Sequence, residues 1–405
     1  MVKRPAELTY SRFNTGLLAL SQALAAISAG VVLAVSALSG AVLAPRESLA
    51  TLPLALQFGA TMLFAYPASL LMRRVGRRLG FSLGAALGAA GGALAAAGLL
   101  SSSFGWFSAG SFLIGGYNAC VLFYRYAAAD NAPPHERGRA IGLVLAGGVA
   151  SIAGPYLAGL TKDSLAVTYA GAYLSLVPLA LVSLLVLQFF EVDPRPARNQ
   201  PEAPPPARPF RMMARQPLTA LLSGVVGYSL MTLVMSATPL AMKGHAHGFS
   251  QSAALMQWHL VFMFAPALFS GALVKRVGPT TTIGAGLLVY IVCAAMTLTG
   301  RGTLPEYTAT LILNGVGWSL ITVAATTLLM DTYAPAERER VQGANDIIVF
   351  ASAAAAAAAS GFLQARIGWA GVNVVVLLVA ASMGAVLSWF VLMPRAQPMV
   401  ALTEG

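Results

Sequence analysis

The sequence is poor in charged residues. Only 10% of its 405 residues are Asp, Glu, Lys or Arg, whereas about a quarter is usual in soluble globular proteins. Hydrophobic residues make up 57% of the chain, and the mean hydropathy is +0.73. These values exclude an ordinary soluble globular protein and predict an integral membrane protein.

Cysteine and histidine are also scarce, with two cysteines and four histidines in the chain. The two cysteines, Cys120 and Cys293, predict no disulfide framework, and no Cys/His run has zinc spacing. The sequence contains neither a phosphate-binding loop motif nor a nucleophile elbow. We therefore expect that the protein is not an enzyme. Each cysteine is interpreted as a small apolar helix residue, with an auxiliary thiol ligand as the alternative.

The apolar residues form twelve blocks, each long enough to cross a hydrocarbon core of ~30 Å. The blocks are continuous rather than alternating, which favours helices over a transmembrane barrel. The predicted fold is an all-α integral membrane protein with twelve transmembrane helices. A proline-rich segment, 191–216, is predicted to link two six-helix halves, 1–190 and 217–405.

Basic residues are distributed unequally between the two sets of loops. Nineteen of the 25 Lys and Arg residues lie in the set that shares a side with both termini, and five lie in the other set. The positive-inside rule therefore predicts cytoplasmic termini. Because topology explains the net charge of +11, we expect membrane lipid around the chain and no nucleic-acid partner.

The two halves also repeat in sequence. Around the loop that follows the second helix, Leu71, Gly76 and the basic pair between them align with Leu273, Gly278 and their basic pair, at a spacing of 202. Pro134 and Glu136 align with Pro335 and Glu337, at a spacing of 201. Two matches at nearly one spacing predict a parallel duplication of six helices.

This arrangement resembles the major facilitator superfamily of secondary transporters, whose two halves rock around a midplane site. The superfamily loop pattern G-x-L-x-D-R-x-G-R-R is met by Leu71, Arg74, Gly76, Arg77 and Arg78. In both halves of this chain, a basic residue occupies the position of the Asp in that pattern. We predict a cytoplasmic gate in which Asp346 supplies the missing negative charge to Arg73, and whose other members are Arg74, Lys275 and Arg276.

Ionisable residues inside a bilayer are costly, so they mark candidate functional sites. His259 lies in the eighth helix with Met263 four residues on, and the seventh helix presents Met231 and Met235 at the same spacing. Each pair shares a helix face, and the pairs lie at similar depths. Three thioethers and an imidazole favour Cu(I) over hard cations. Gap-filling methionines, and a histidine that bonds a backbone carbonyl or relays protons, are the alternatives.

Two further groups of polar or soft side chains are candidates. The loop between the seventh and eighth helices, with its flanks, is a candidate capture site for copper. The alternative is a polar turn without a binding role. The residues of the candidate site are Met242, His245, His247 and Met256. Arg125 lies inside a span, where we expect it to snorkel or to pair with Asp130 rather than to contact substrate.

The four soft donors resemble the signature of CcoA-type copper importers, an M-x-x-x-M followed by an H-x-x-x-M. The resemblance implies copper import across the bacterial inner membrane for cbb-type cytochrome oxidase, with Met231, Met235, His259 and Met263 as the copper site. It also implies a cytoplasmic copper acceptor. Copper is then the substrate, and we expect no resident cofactor and a monomeric protein.

Two other functions fit the sequence. One is a proton-coupled exporter of a small organic solute or drug, in which His259 carries the proton and the methionines line an apolar cavity. The other is a transporter-like sensor that binds a ligand without moving it. The sensor is the less favoured, because the proline-rich linker carries no recognisable signalling domain.

Overall fold

The computed structural model describes residues 5–133, 136–191, 215–298, 301–333 and 337–392. Within these ranges the chain forms fifteen α-helices: α1 Pro5–Leu43, α2 Leu52–Val75, α3 Arg77–Leu100, α4 Phe104–Val121, α5 Tyr124–Asn131, α6 Arg137–Ala146, α7 Ala153–Thr161, α8 Ala170–Leu174, α9 Leu176–Gln188, α10 Arg215–Gly244, α11 Phe249–Phe264, α12 Ala267–Val277, α13 Pro279–Thr297, α14 Leu304–Met330 and α15 Arg338–Leu392. A 3-10 stretch, Gly147–Ile152, joins α6 to α7.

These helices supply the predicted spans. Ten stretches in the described ranges are long and apolar enough to cross a membrane, and α11 with α12 forms a bent pair that makes an eleventh. The last stretch, Val341–Phe390, has 50 residues, or about 75 Å of helix, which is more than twice a hydrocarbon core. A kink at Gly368 divides it into two spans. The predicted all-α fold with twelve transmembrane helices is confirmed.

Two glycines at equivalent positions of the predicted repeat share one backbone conformation. Gly76 ends α2 with φ 85° and ψ 159°, and Gly278 ends α12 with φ 86° and ψ 157°. This region of φ and ψ is open essentially to glycine alone. The agreement at a spacing of 202 supports the duplication. The second loop pair is only partly described, and the linker 191–216 lies almost wholly outside the described residues, so the division into 1–190 and 217–405 stays a prediction.

Because neighbouring spans run in opposite directions, the helix ends fall on two faces. We call the face that holds Gly76, Asn131, Arg215 and Met330 the linker face, and the opposite face the far face. One apolar core lies among residues 18–190, with Phe81 and Tyr124 in edge contact at 4.8 Å. Another lies among residues 220–387. Each group of six spans therefore has buried apolar packing of its own.

The two groups of six spans touch each other toward the far face. The backbone N–H of Gly361 donates to Thr51 Oγ1 at 3.0 Å, and Gln257 Nε2 donates to the carbonyl of Ile152 at 3.2 Å. The ring of Phe249 lies 5.7 Å from that of Tyr169. These contacts close the far side of the bundle.

The first and fifth spans approach each other at glycines. A Cβ built on Gly30 would lie 2.1 Å from the carbonyl oxygen of Ser151 and 3.0 Å from the Cα of Gly154. Both obstacles are backbone atoms, so no side chain can move aside. Small residues are the usual means by which membrane helices come this close.

Replacing Gly30 tests this packing. Gly30→Ala should lower the thermal unfolding temperature of the protein in detergent, because overpacking of this kind costs about 1–3 kcal/mol. Gly16→Ala is the matched control in the same helix, since a Cβ there meets nothing within 4 Å. Equal unfolding temperatures for the two variants would contradict the close approach of the first and fifth spans.

Candidate functional site

A cavity of about 310 Å³ lies at the linker face, between the ends of α5, α6, α10, α14 and α15. Two of these helices belong to the first six spans and three to the last six. The cavity is lined by Arg125, Tyr126, Ile141, Leu145, Ala220, Gly224, Tyr228, Thr322, Ala325, Thr326, Leu329, Met330, Tyr333, Gln342, Asn345, Asp346, Val349 and Phe350. The bundle is therefore closed toward the far face and hollow toward the linker face.

Two charged side chains occur in the described lining of this cavity, and they face each other. Arg125 Nη2 of α5 lies 3.7 Å from Asp346 Oδ2 of α15, and the two side chains are 31% and 40% exposed. Arg125 also donates to the hydroxyl of Tyr126 at 3.1 Å, and Asn345 donates to Asp346 at 3.4 Å. Both side chains are therefore partly accessible within the cavity.

Aromatic rings form the deeper part of the wall. Tyr228 lies edge-on to Trp318 at 5.3 Å between ring centroids and to Phe350 at 6.1 Å. Trp318 Nε1 and Thr322 Oγ1 are buried nearby and have no hydrogen-bond partner in the described part of the chain. The wall thus combines flat apolar surfaces with hydrogen-bonding groups, an arrangement typical of sites for small organic ligands.

Three of the four predicted copper donors do meet in the structure. Met231, Met235 and Met263 belong to one buried cluster together with Met256 and Leu260. Tyr228 and Trp318 pack against this cluster. The methionines therefore lie behind the aromatic wall of the cavity, as apolar packing that supports it.

His259 is fully buried on α11. Its Nδ1 lies 2.9 Å from the carbonyl oxygen of Leu311 on α14. A carbonyl oxygen only accepts, so Nδ1 carries the proton and, in the neutral ring, Nε2 carries a lone pair. Nε2 has no hydrogen-bond partner in the described ranges. The imidazole ties two helices together, as one of the sequence-based alternatives expected, and Nε2 can still accept a proton or bind a metal.

The predicted capture residues are divided among different contacts. His245 Nδ1 lies 3.0 Å from the carbonyl of Ala241 and 2.8 Å from the hydroxyl of Tyr307, and His247 Nε2 lies 2.7 Å from the carbonyl of Gly302. Met242 is buried in the core of residues 220–387, and Met256 is buried in the methionine cluster. The two histidines thus link the loop to α14 and to the residue Gly302 just before it. This agrees with the polar-turn alternative.

The cysteines also have structural surroundings. Cys120 is buried in the core of residues 18–190, where its side chain packs against Gly84. Cys293 is fully buried and donates to the carbonyl of Thr310 at 3.4 Å. Neither thiol belongs to the methionine cluster. The assignment as auxiliary ligands stays a prediction that this packing does not support.

The structure gives Asp346 a different partner from the one that the sequence predicts. Asp346 pairs with Arg125, not with Arg73, which lies in the last turn of α2 beside Arg74. Lys275 and Arg276 hold the equivalent turn of α12. Asp130 likewise pairs with Arg77 rather than with Arg125. The sequence pattern shows which loop lacks an acid, but it contains no information about which helix lies opposite.

Sequence reasoning missed the aromatic and amide side chains of the cavity, above all Tyr228, Phe350 and Asn345. These residues are unremarkable within apolar or polar helix segments, so no motif marks them. A signal was nevertheless present, because Arg125 and Asp346 are ionisable residues inside predicted spans. Considering the two together would have indicated the cavity.

Residues 18–303 and 259–404 match the Major Facilitator Superfamily. The chain belongs to this superfamily. A riboflavin transporter of Brucella anthropi, RfnT, is 38% identical over 380 residues, which cover 93% of this chain and 95% of that protein. The uncharacterised transporter YdeG of Bacillus subtilis is 26% identical over 62% of this chain and 63% of its own.

Solved structures of the superfamily share the fold at low sequence identity. The nucleoside transporter NupG has a TM-score of 0.74 at 12% identity, and the match covers 94% of this chain and 100% of that chain. A bacterial homologue of the lysosomal transporter Spinster has a TM-score of 0.71 at 16% identity, over 96% and 98% of the two chains. The protein is thus a multi-pass membrane transporter of the superfamily, a class that is not enzymatic.

The ion pair across the cavity can be tested by a double-mutant cycle. Arg125→Gln and Asp346→Asn should show a coupling energy of about 0.2–1 kcal/mol for unfolding in detergent, the size usual for partly exposed pairs. Arg73→Gln combined with Asp346→Asn is the matched comparison and should show no coupling. The opposite ranking would restore the gate predicted from the sequence.

Proposed function

We propose that this protein is a secondary transporter of a small organic solute, with riboflavin as the substrate. The observation that carries the proposal is the cavity, which joins aromatic rings in edge-on contact to amide and hydroxyl groups between the two groups of spans. The 38% identity to a riboflavin transporter over nearly the whole chain supports it. Its substrate class, a small organic solute, is that of the proton-coupled exporter that the sequence left as the alternative to copper import.

The chemistry of a flavin suits this wall. Its ring system is flat and aromatic, with nitrogen and oxygen atoms along one edge and a hydroxylated chain on the other side. Tyr228 and Phe350 offer ring faces and edges to the flat part. Asn345 and Gln342 offer hydrogen bonds to the polar parts. The cavity volume lies at the lower end of the ~300–1,000 Å³ usual for small-molecule sites.

We further propose that the protein spans the bacterial inner membrane with its linker face toward the cytoplasm. The positive-inside rule supports this orientation, because most basic loop residues lie on that face. In this orientation the cavity opens inward. Transport then proceeds as the two groups of spans rock, so that the contacts toward the far face open while the cavity closes.

Flavin flux through purified protein in liposomes tests the proposal. Liposomes that contain the protein should equilibrate riboflavin faster than empty liposomes, as followed by flavin fluorescence. Tyr228→Ala should reduce this flux roughly tenfold or more, because an aromatic contact and its buried area are lost. Tyr66→Ala on α2 is the matched control, since this side chain is 68% exposed and lies outside the cavity. No flux with the unaltered protein would overturn the proposal.

Copper uptake separates the two functions. The three predicted copper-binding methionines belong to a buried apolar cluster, and the described lining of the cavity contains no cysteine or histidine. Cells that produce the protein should therefore accumulate no more radioactive copper than cells without it. Accumulation that disappears with Met235→Ala and with His259→Ala, while Met296→Ala leaves it intact, would instead support copper import. Met296 is the control because its side chain is 47% exposed on α13.

A further inference from the structure

The charges that line the cavity cancel. Among the described residues, its lining contains one cation and one anion, Arg125 and Asp346, and these form an ion pair with each other. The other polar groups of the described lining are neutral hydroxyls and amides. At this part of the wall, a ligand that enters therefore meets hydrogen-bonding groups and a charge pair that is already compensated.

The guanidinium of Arg125 is held by two neighbours. Asp346 faces its Nη2 from α15, and Tyr126 accepts a hydrogen bond from the same nitrogen while its ring lies 4.8 Å from the guanidinium carbon. Asn345 in turn donates to Asp346 and steadies the carboxylate. Arginine is the preferred partner of phosphate groups, but this arginine already has an anionic partner.

We propose that Asp346 determines substrate charge: by occupying Arg125, it restricts the cavity to neutral flavins and excludes their phosphate esters. This inference rests on the proposed function. A phosphate monoester carries a charge of about −1.5 to −2 at pH 7. To enter, it must give up its hydration and displace a carboxylate of the same sign from Arg125. Riboflavin carries no such group and meets neither obstacle.

The proposal predicts that one substitution changes the specificity. Asp346→Asn keeps the size of the side chain and one acceptor oxygen, but it leaves the charge of Arg125 uncompensated. Charge-assisted hydrogen bonds to phosphate are among the stronger polar contacts in proteins. The affinity for riboflavin 5′-phosphate relative to riboflavin should then rise roughly tenfold or more.

Binding to the purified full-length protein in detergent measures this ratio through quenching of flavin fluorescence. The unaltered protein should bind riboflavin and bind its 5′-phosphate at least about tenfold more weakly. Asp346→Asn should narrow or reverse that difference. Asp130→Asn is the matched control, because it changes the net charge equally and breaks the Arg77 pair on the same face, outside the cavity lining.

The outcomes separate this inference from the proposed function. If the unaltered protein binds neither flavin, the proposed function fails. If it binds both equally, or if Asp346→Asn leaves the ratio unchanged, the role of Asp346 is wrong while riboflavin transport stands. The same change of ratio with Asp130→Asn would attribute the effect to overall charge and would also overturn the inference.

A charge-exchanged protein covers the case in which Asp346→Asn does not fold. Arg125→Asp combined with Asp346→Arg keeps one cation and one anion in the cavity, so the preference for riboflavin over its phosphate should persist. Arg125→Gln removes the cation, and binding of the phosphate should then weaken further relative to riboflavin. A gain in phosphate binding by either protein would contradict the proposal.

Discussion

A polar group inside this bundle is stabilised by a partner within the protein, because hydrocarbon offers it none. Many buried polar side chains meet this need by joining helices. His259 bonds to the Leu311 carbonyl, Asn314 donates to the Met231 carbonyl at 3.2 Å, and Tyr290 donates to that of Gly227 at 3.1 Å. A polar or ionisable residue in a span can thus serve to link two helices through a hydrogen bond. Arg125 and Asp346 differ, since their contact lines a cavity.

The same constraint bears on the proposed rocking of the two groups of spans. Toward the far face, isolated hydrogen bonds join the two groups of spans, such as those from Gln257 to Ile152 and from Gly361 to Thr51. A hydrogen bond of this kind contributes a net ~0.5–1.5 kcal/mol. Contacts of that size can be broken and remade during a transport cycle, whereas the apolar cores of residues 18–190 and 220–387 stay packed. Rigid groups joined by weak contacts are what alternating access requires.

The sequence was sufficient for the fold and insufficient for the site. Span number follows from hydropathy, because a helix must be apolar along its whole length to cross lipid. The duplication follows from loop motifs, and Gly76 and Gly278 share an unusual backbone conformation because of it. The partner of Asp346 does not follow from either. Which helix lies opposite α15 depends on the packing of the whole bundle, and a spacing on one helix cannot specify it.

The methionines show the same limit in chemical terms. A spacing of four residues places Met231 and Met235 on one helix face, and the structure does bring them together with Met263. Proximity alone does not make a copper site, because thioethers also pack favourably against aromatic rings, by about 0.3–1.5 kcal/mol per contact. Here Tyr228 and Trp318 cover the cluster. Soft, polarisable groups behind an aromatic wall support the rings that a flat solute would contact, so the residues that suggested copper fit an organic substrate equally well.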